Sequence, residues 1–277
     1  MGCKRIPRLF LVLTIFVLTI SLSPLVWAQG PARAKSKRAD DTCKNKPFAY
    51  DNGPYGQGSW CGECNPEVHI PERRQAPINI SGAQPSSLPA IEFNYQPTSL
   101  ETIHNAHNLK VVGKGSIRIE NFGNFNLVEF HFHRPSEEAI DNHRSVMVIH
   151  LVHVNAKVDA RPKYAVVGIL VEEGTPAPET GRLIDTLIGH FPPPLGVQNT
   201  EINAKDLLPA DHDGYFRFDG SLTTPPCTEG VTFFILKSPV YFSAEQLRQF
   251  ARRYPMPNAR DIQETHGRVI LERMPGK

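Results

Sequence analysis

The chain has 277 residues, 40% of them hydrophobic and 21% charged, which supplies enough apolar material for a filled core and excludes a disordered chain. A formal net charge of +2 gives no reason to expect a nucleic-acid partner or an anionic membrane surface. A single domain is the simplest organisation for a β-rich chain of this length.

Lys4, Arg5 and Arg8 precede an apolar run from Leu9 to Leu22, and Val26-Trp27-Ala28 ends in a small residue before Gln29. Residues 1–28 therefore read as a secretory signal peptide. The run approaches the length of a short spanning helix, but Pro24 and Ala28 favour cleavage, and no membrane is expected after it. Residues 29–46, polar and basic from Pro31 onward, form a flexible lead. The folded domain is then expected over 47–277, and the mature protein is expected to be periplasmic or secreted. Without Cys3 four cysteines remain, Cys43, Cys61, Cys64 and Cys227, which in an exported chain suggests disulfides with three connectivities open.

From Phe48 to Trp60 the chain is rich in Gly, Pro and aromatics, which suits an irregular segment hugging the surface. Short β-type runs follow at Ile91–Tyr95, Leu109–Val112, Ser116–Glu120, Leu127–His133, Val146–Val154, Tyr164–Val171, Tyr215–Phe218 and Val231–Leu236, separated by turn residues such as Gly113-Lys114-Gly115. This alternation suggests an antiparallel sheet. Leu183, Ile184, Leu187 and Ile188 mark one face of a helix over Gly181–His190, stopped by Pro192-Pro193-Pro194. Ser243 and Gln246 form a capping box before a second helix whose inward face is Leu247, Phe250 and Ala251.

His131 and His133 stand two apart in a β-type run, so they share one face with Cα atoms about 6.6 Å apart, while Phe130 and Phe132 face the other way. The next run carries His150 where an apolar residue would be ordinary. A lone buried histidine is more often a hydrogen-bonded core residue than a ligand. Three that converge make a zinc site with an open fourth position, which is the catalytic rather than the structural arrangement.

Phe130-His131-Phe132-His133, Ser136-Glu137, His150-Leu151-Val152-His153 and Gly220-Ser221-Leu222-Thr223-Thr224-Pro225-Pro226 together resemble the α-class carbonic anhydrases. So do Gln75-Ala76-Pro77-Ile78-Asn79-Ile80 and Asn258-Ala259-Arg260, in the same order, across roughly Tyr50 to Arg268. The resemblance implies a mainly β fold with short helices, built on one large twisted, mostly antiparallel central sheet. It implies reversible hydration of CO2 to bicarbonate and a proton through zinc-bound hydroxide, with CO2 and bicarbonate as small-molecule partners; a homodimer is compatible with it.

By the same resemblance His131, His133 and His150 are the zinc ligands. Thr223 accepts from the zinc-bound oxygen and donates to the buried carboxylate of Glu137. His107, in Asn105-Ala106-His107, is the proton shuttle. Val152, Val166 and Leu222 line the CO2 pocket, where Phe233 replaces the family's usual Trp, and Thr224 contacts bicarbonate. Phe48-Ala49-Tyr50 stands where the family has Trp-x-Tyr. Asn258 and Glu129 hold ligand histidines. Exported members often join an N-terminal cysteine to one after the Thr-Thr-Pro-Pro turn, which places Cys227 in a bridge, here taken with Cys64 and leaving Cys43 with Cys61.

Two positions depart from the family pattern. The Glu that usually stands two residues before the third histidine is Val148, and the Gln two residues before the first is Glu129. The expectation is that the carboxylate has moved from His150 to His131; Glu138, where the family usually has His, receives no role. Two other readings compete. His131-x-His133-x-x-x-Glu137 also has the spacing of the first cupin metal motif, with Glu137 as an iron or manganese ligand, though the expected Pro-x-Gly is missing before His150. A non-catalytic binding protein on the same scaffold is kept open by Val148.

Overall fold

The computed structural model describes residues 46–65, 73–104, 107–190 and 196–274. The signal peptide, the lead up to residue 45, Cys43 and Pro192-Pro193-Pro194 lie outside the described residues.

In chain order the strands are β1 (Asn79–Ile80), β2 (Gln84–Pro85), β3 (Ile91–Tyr95), β4 (Thr98–His104), β5 (Leu109–Val112), β6 (Gly115–Ile119), β7 (Gly123–His133), β8 (Ala139–Ile140), β9 (Met147–Asn155), β10 (Tyr164–Glu173), β11 (Gly196–Ile202), β12 (Tyr215–Ser221), β13 (Glu229–Leu236), β14 (Val240–Phe242) and β15 (Leu271–Arg273). The helices are α1 (Pro178–Gly189) and α2 (Ala244–Arg253).

All but β1 and β8 belong to one sheet, in which β11, β4, β5, β7, β9, β10, β13, β12, β15 and β2 lie side by side. β14 adds to β10, and β6 pairs with β3 and β7. Most neighbours are antiparallel, as expected, but the sheet is mixed: β10 runs parallel to both β13 and β14, and β15 to β2.

Alternation along β9 divides the interior in two. Met147, Ile149 and Leu151 enter the larger core, together with Phe130 and Phe132 of β7, the four leucines and isoleucines of α1, and Phe250 of α2. Val148 enters a smaller cluster on the opposite face with Val166, Leu170, Phe233 and Ile235. His150 shares that second face, because it lies two residues from Val148.

β7 begins four residues before the expected Leu127, and an irregularity explains how it serves both faces. The register against β9 slips between Leu127 and Glu129, leaving Val128 as the extra residue. Before the slip the odd-numbered Phe125 and Leu127 face the larger core; after it the even-numbered Phe130 and Phe132 do. The bulge thereby turns Glu129, His131 and His133 toward the second face.

α1 starts three residues earlier than expected, with Pro178 in its first turn, where proline's missing N–H costs nothing. The capping box of α2 is present, Ser243 accepting from the Gln246 backbone and Gln246 accepting in return. Gln246 and Phe250 are its buried residues, while Leu247 and Ala251 are half-buried.

Candidate metal centre

Strands β7 and β9 pair antiparallel with His131 directly opposite His150 and His133 opposite Val148. Since the histidines project from one face, their rings come within 4.9 to 5.5 Å of one another, centroid to centroid. One ring nitrogen from each of the three lies within 4.8 Å of the others.

The remaining nitrogen of each ring is committed elsewhere. His131 Nδ1–H donates to Glu129, whose carboxylate oxygens lie 3.0 and 2.9 Å away. His133 Nδ1–H donates to the backbone oxygen of Asn258 at 2.7 Å. His150 Nε2 faces Glu138 Oε2 at 3.2 Å. Nε2 of His131, Nε2 of His133 and Nδ1 of His150 are thus left to converge. Nε2 of His133 is buried with no hydrogen-bond partner, a costly state for a polar atom unless a cation completes it. The donor set fits a metal that takes imidazole nitrogen.

Burial, more than any partner, lowers the pKa of His131 and drives that of His133 well below 6.5, and the neutral ring is the ligating form. At His150 burial also lowers the pKa, but the Glu138, Glu137 and Glu129 carboxylates outweigh it and the net shift is upward. Lys110, opposite His131 on β5, stands 3.6 Å from Glu129 and helps hold that carboxylate ionised against its burial.

Glu137 is fully buried. Its Oε1 accepts from the backbone N–H of Arg260 at 2.9 Å, and Thr223 hydrogen-bonds to it through the side chain. Its Oε2 lies 3.4 Å from His133 Nε2 and 3.8 Å from His150 Nδ1. Burial above all, against the His150 charge and these hydrogen bonds, pushes its pKa up to about 7. Arg260 is fixed from the far side by Gln75 Oε1 at 3.0 Å and the Ala76 carbonyl at 2.7 Å. The Tyr50 hydroxyl, raised well above 10 by burial and then by the Glu137 charge, belongs to the same surroundings.

Asn258 also braces the strand, its Nδ2 donating to the Phe132 and His107 carbonyls and its Oδ1 accepting from the Arg134 backbone. The ring of His107 lies tilted against Phe48 at 4.5 Å and edge-on to Tyr50 at 5.7 Å, and partial burial lowers its pKa below 6.5. Val152 of β9 pairs with Val166 of β10, and Val166 with Phe233 of β13, so these side chains make an apolar wall beside His150, joined by Leu222. Phe233 is stacked on Phe218 and lies 6.0 Å from His150. Thr224 is half-buried, and its carbonyl accepts from the Cys227 backbone at 2.9 Å. Cys64 and Cys227 form the expected disulfide. Cys61 is disulfide-bonded as well; the partner expected for it, Cys43, lies outside the described residues.

Two expectations need correction. Glu138 was expected to have no role, yet it is buried against His150 because the chain turns after Pro135 and sends two successive carboxylates inward. The carboxylate has therefore not moved from His150 to His131. Each of these two rings has its own. The adjacency of Glu137 and Glu138 in the short connection between β7 and β8 is a signal for this, but only the turn decides that both point in.

Residues 55–274 match the model of the eukaryotic-type carbonic anhydrases. A carbonic anhydrase of Klebsiella pneumoniae is 36% identical over 72% of this chain and 79% of its own. One from Nostoc is 32% identical over 96% of both chains. The solved structure of a hyperthermostable carbonic anhydrase from a hydrothermal vent chimney superposes with a TM-score of 0.70 at 30% identity, covering 82% of this chain and all of that one. The Photobacterium profundum α-carbonic anhydrase gives 0.68 at 28% identity, over 81% of this chain and all of its own. The cupin reading has no place in this fold, and the chain belongs to the α, eukaryotic-type, carbonic anhydrases, whose reaction is the hydration of CO2.

Proposed function

We propose that His131, His133 and His150 hold a catalytic Zn2+ and that the chain hydrates CO2 reversibly in an exported compartment. The observation that carries this reading is the convergence of three imidazole nitrogens whose opposite nitrogens are all committed. Zinc bound there supplies Lewis acidity, which makes water a nucleophile near neutral pH.

The chain's own residues do the rest. With its O–H given to Glu137, the Thr223 hydroxyl has only lone pairs left toward the reacting water, which fixes the direction of attack. Glu137 can act as acceptor because Arg260 N–H and Gln75 hold the surrounding geometry. Val152, Val166 and Leu222 offer CO2 a dry surface, and Thr224 offers bicarbonate a polar contact. Addition of water to CO2 gives bicarbonate and one proton, which His107 carries to solvent; its depressed pKa favours release at neutral pH. Export is supported by the basic and apolar first residues and by the disulfide between Cys64 and Cys227.

Stopped-flow CO2 hydration on the chain from Gln29, with metal content measured on the same sample, tests this. One zinc per chain, hydration abolished by chelation, and a loss of about 100-fold in kcat/KM for Thr223→Ala are expected. Bound zinc without hydration would instead support a binding role.

A further inference from the structure

Val148 sits two residues before His150 on the same face of β9, is fully buried and packs among Val166, Leu170 and Phe233. The strand that carries the third histidine therefore offers it no acceptor. The acceptor comes from the segment between β7 and β8. We propose that Glu138 is the positioning residue that fixes His150 for the metal, so that one short segment, Ser136 to Glu138, governs both the third ligand and, through Glu137, the orientation of Thr223. This rests on the zinc reading above.

Three observations support it. Glu138 is 1% exposed, and its Oε2 lies 3.2 Å from His150 Nε2, on the opposite edge of the ring from the nitrogen that faces Glu137. A buried carboxylate is strongly unfavourable unless paired. Glu138 Oε1 has no hydrogen-bond partner among the described residues, which leaves the His150 N–H, and through that ring any cation it binds, to compensate the charge. The segment is also pinned on both sides. Ser136 Oγ donates to the Glu138 carbonyl at 2.8 Å, the Ser136 backbone donates to Ser145 at 3.0 Å, and the Ala139 backbone donates to Ile78 at 3.3 Å. A carboxylate so held can select the His150 tautomer with Nδ1 free, which is what a ligand held from the other edge requires.

The test is zinc affinity by chelator competition on the full mature chain, for the wild type, Glu138→Gln and Glu138→Ala, with thermal melting of each metal-free protein. ¹⁵N spectra of the zinc-loaded forms follow the His150 Nε2–H directly. Glu138→Ala is expected to weaken zinc binding about 10- to 100-fold, and Glu138→Gln, which keeps an acceptor oxygen but no charge, by less. The metal-free Glu138→Ala protein should melt no lower than the wild type, and its His150 Nε2–H should exchange faster once zinc is bound. Affinity unchanged in Glu138→Ala, or weakened only in step with a lower melting temperature, would overturn the proposal. A wild type that binds no zinc would overturn the metal reading itself and is seen in the same titration.

Discussion

His153 stands three residues beyond His150 and faces the opposite side of β9. It is fully buried, its Nδ1–H donates to the Ala165 carbonyl at 3.2 Å, and its Nε2 accepts from the Tyr95 hydroxyl at 2.9 Å. Burial, only partly opposed by hydrogen bonds to the Ala165 and Leu151 backbone, lowers its pKa to about 4. The unfolded chain would bind that proton near pH 6.5, so the stability due to the neutral ring is complete above that value and lost as pH falls to about 4, amounting to about 3 kcal/mol. Urea unfolding followed between pH 7 and pH 4 should therefore show a shallower fall for His153→Gln than for the wild type; parallel curves would contradict this. Spacing in the sequence distinguishes the two histidines poorly, since both occupy a strand rich in β-branched residues. His131 and His133 are legible because period-two spacing is a property of the chain itself. Glu138 is not, because it depends on how a turn aims two neighbouring carboxylates.

Among the elements, the bulge at Val128 is the device that lets one strand pack its phenylalanines on the larger core and its histidines on the metal face. Flattening the bulge with Val128 retained would turn one of the two sets to the wrong face, whereas deleting Val128, the extra residue, leaves Phe125, Leu127, Phe130 and Phe132 on one face and Glu129, His131 and His133 on the other. Deletion of Val128 is therefore expected to retain one zinc per chain, measured by metal analysis of the purified protein after dialysis against zinc. Loss of zinc from a folded deletion variant would contradict the account. The long strands with β-branched runs, β9, β10 and β13, are readable from sequence to within a few residues, as is α2 through its capping box. β4 escapes because its signal is mixed: Leu100 and Thr102 are buried while Ile103 is exposed. β11 is polar, and β1, β2, β8, β14 and β15 are two or three residues long, too short to display a period.

Across the whole molecule, the site is assembled from pieces distant in the chain. Gln75 and Ala76 hold Arg260, the Arg260 backbone holds Glu137, and the Cys64 to Cys227 disulfide ties the N-terminal segment to the turn that follows Thr223 and Thr224, 163 residues away in sequence. Each piece is visible in the sequence as a motif, and the order of the motifs identifies the family. The contacts between them are long-range, so sequence spacing carries no information about which atom of one motif meets which atom of another. The central claim is that Nε2 of His131, Nε2 of His133 and Nδ1 of His150 bind one zinc. Anomalous diffraction on either side of the zinc absorption edge, from crystals of the zinc-loaded mature chain, tests it most directly. The account predicts one strong zinc-specific peak within bonding distance of those three nitrogens, with Glu129, the Asn258 carbonyl and Glu138 on the far side of the rings. A peak bound by Glu137 or Glu138 in place of a histidine, or lying away from the three rings, would contradict it.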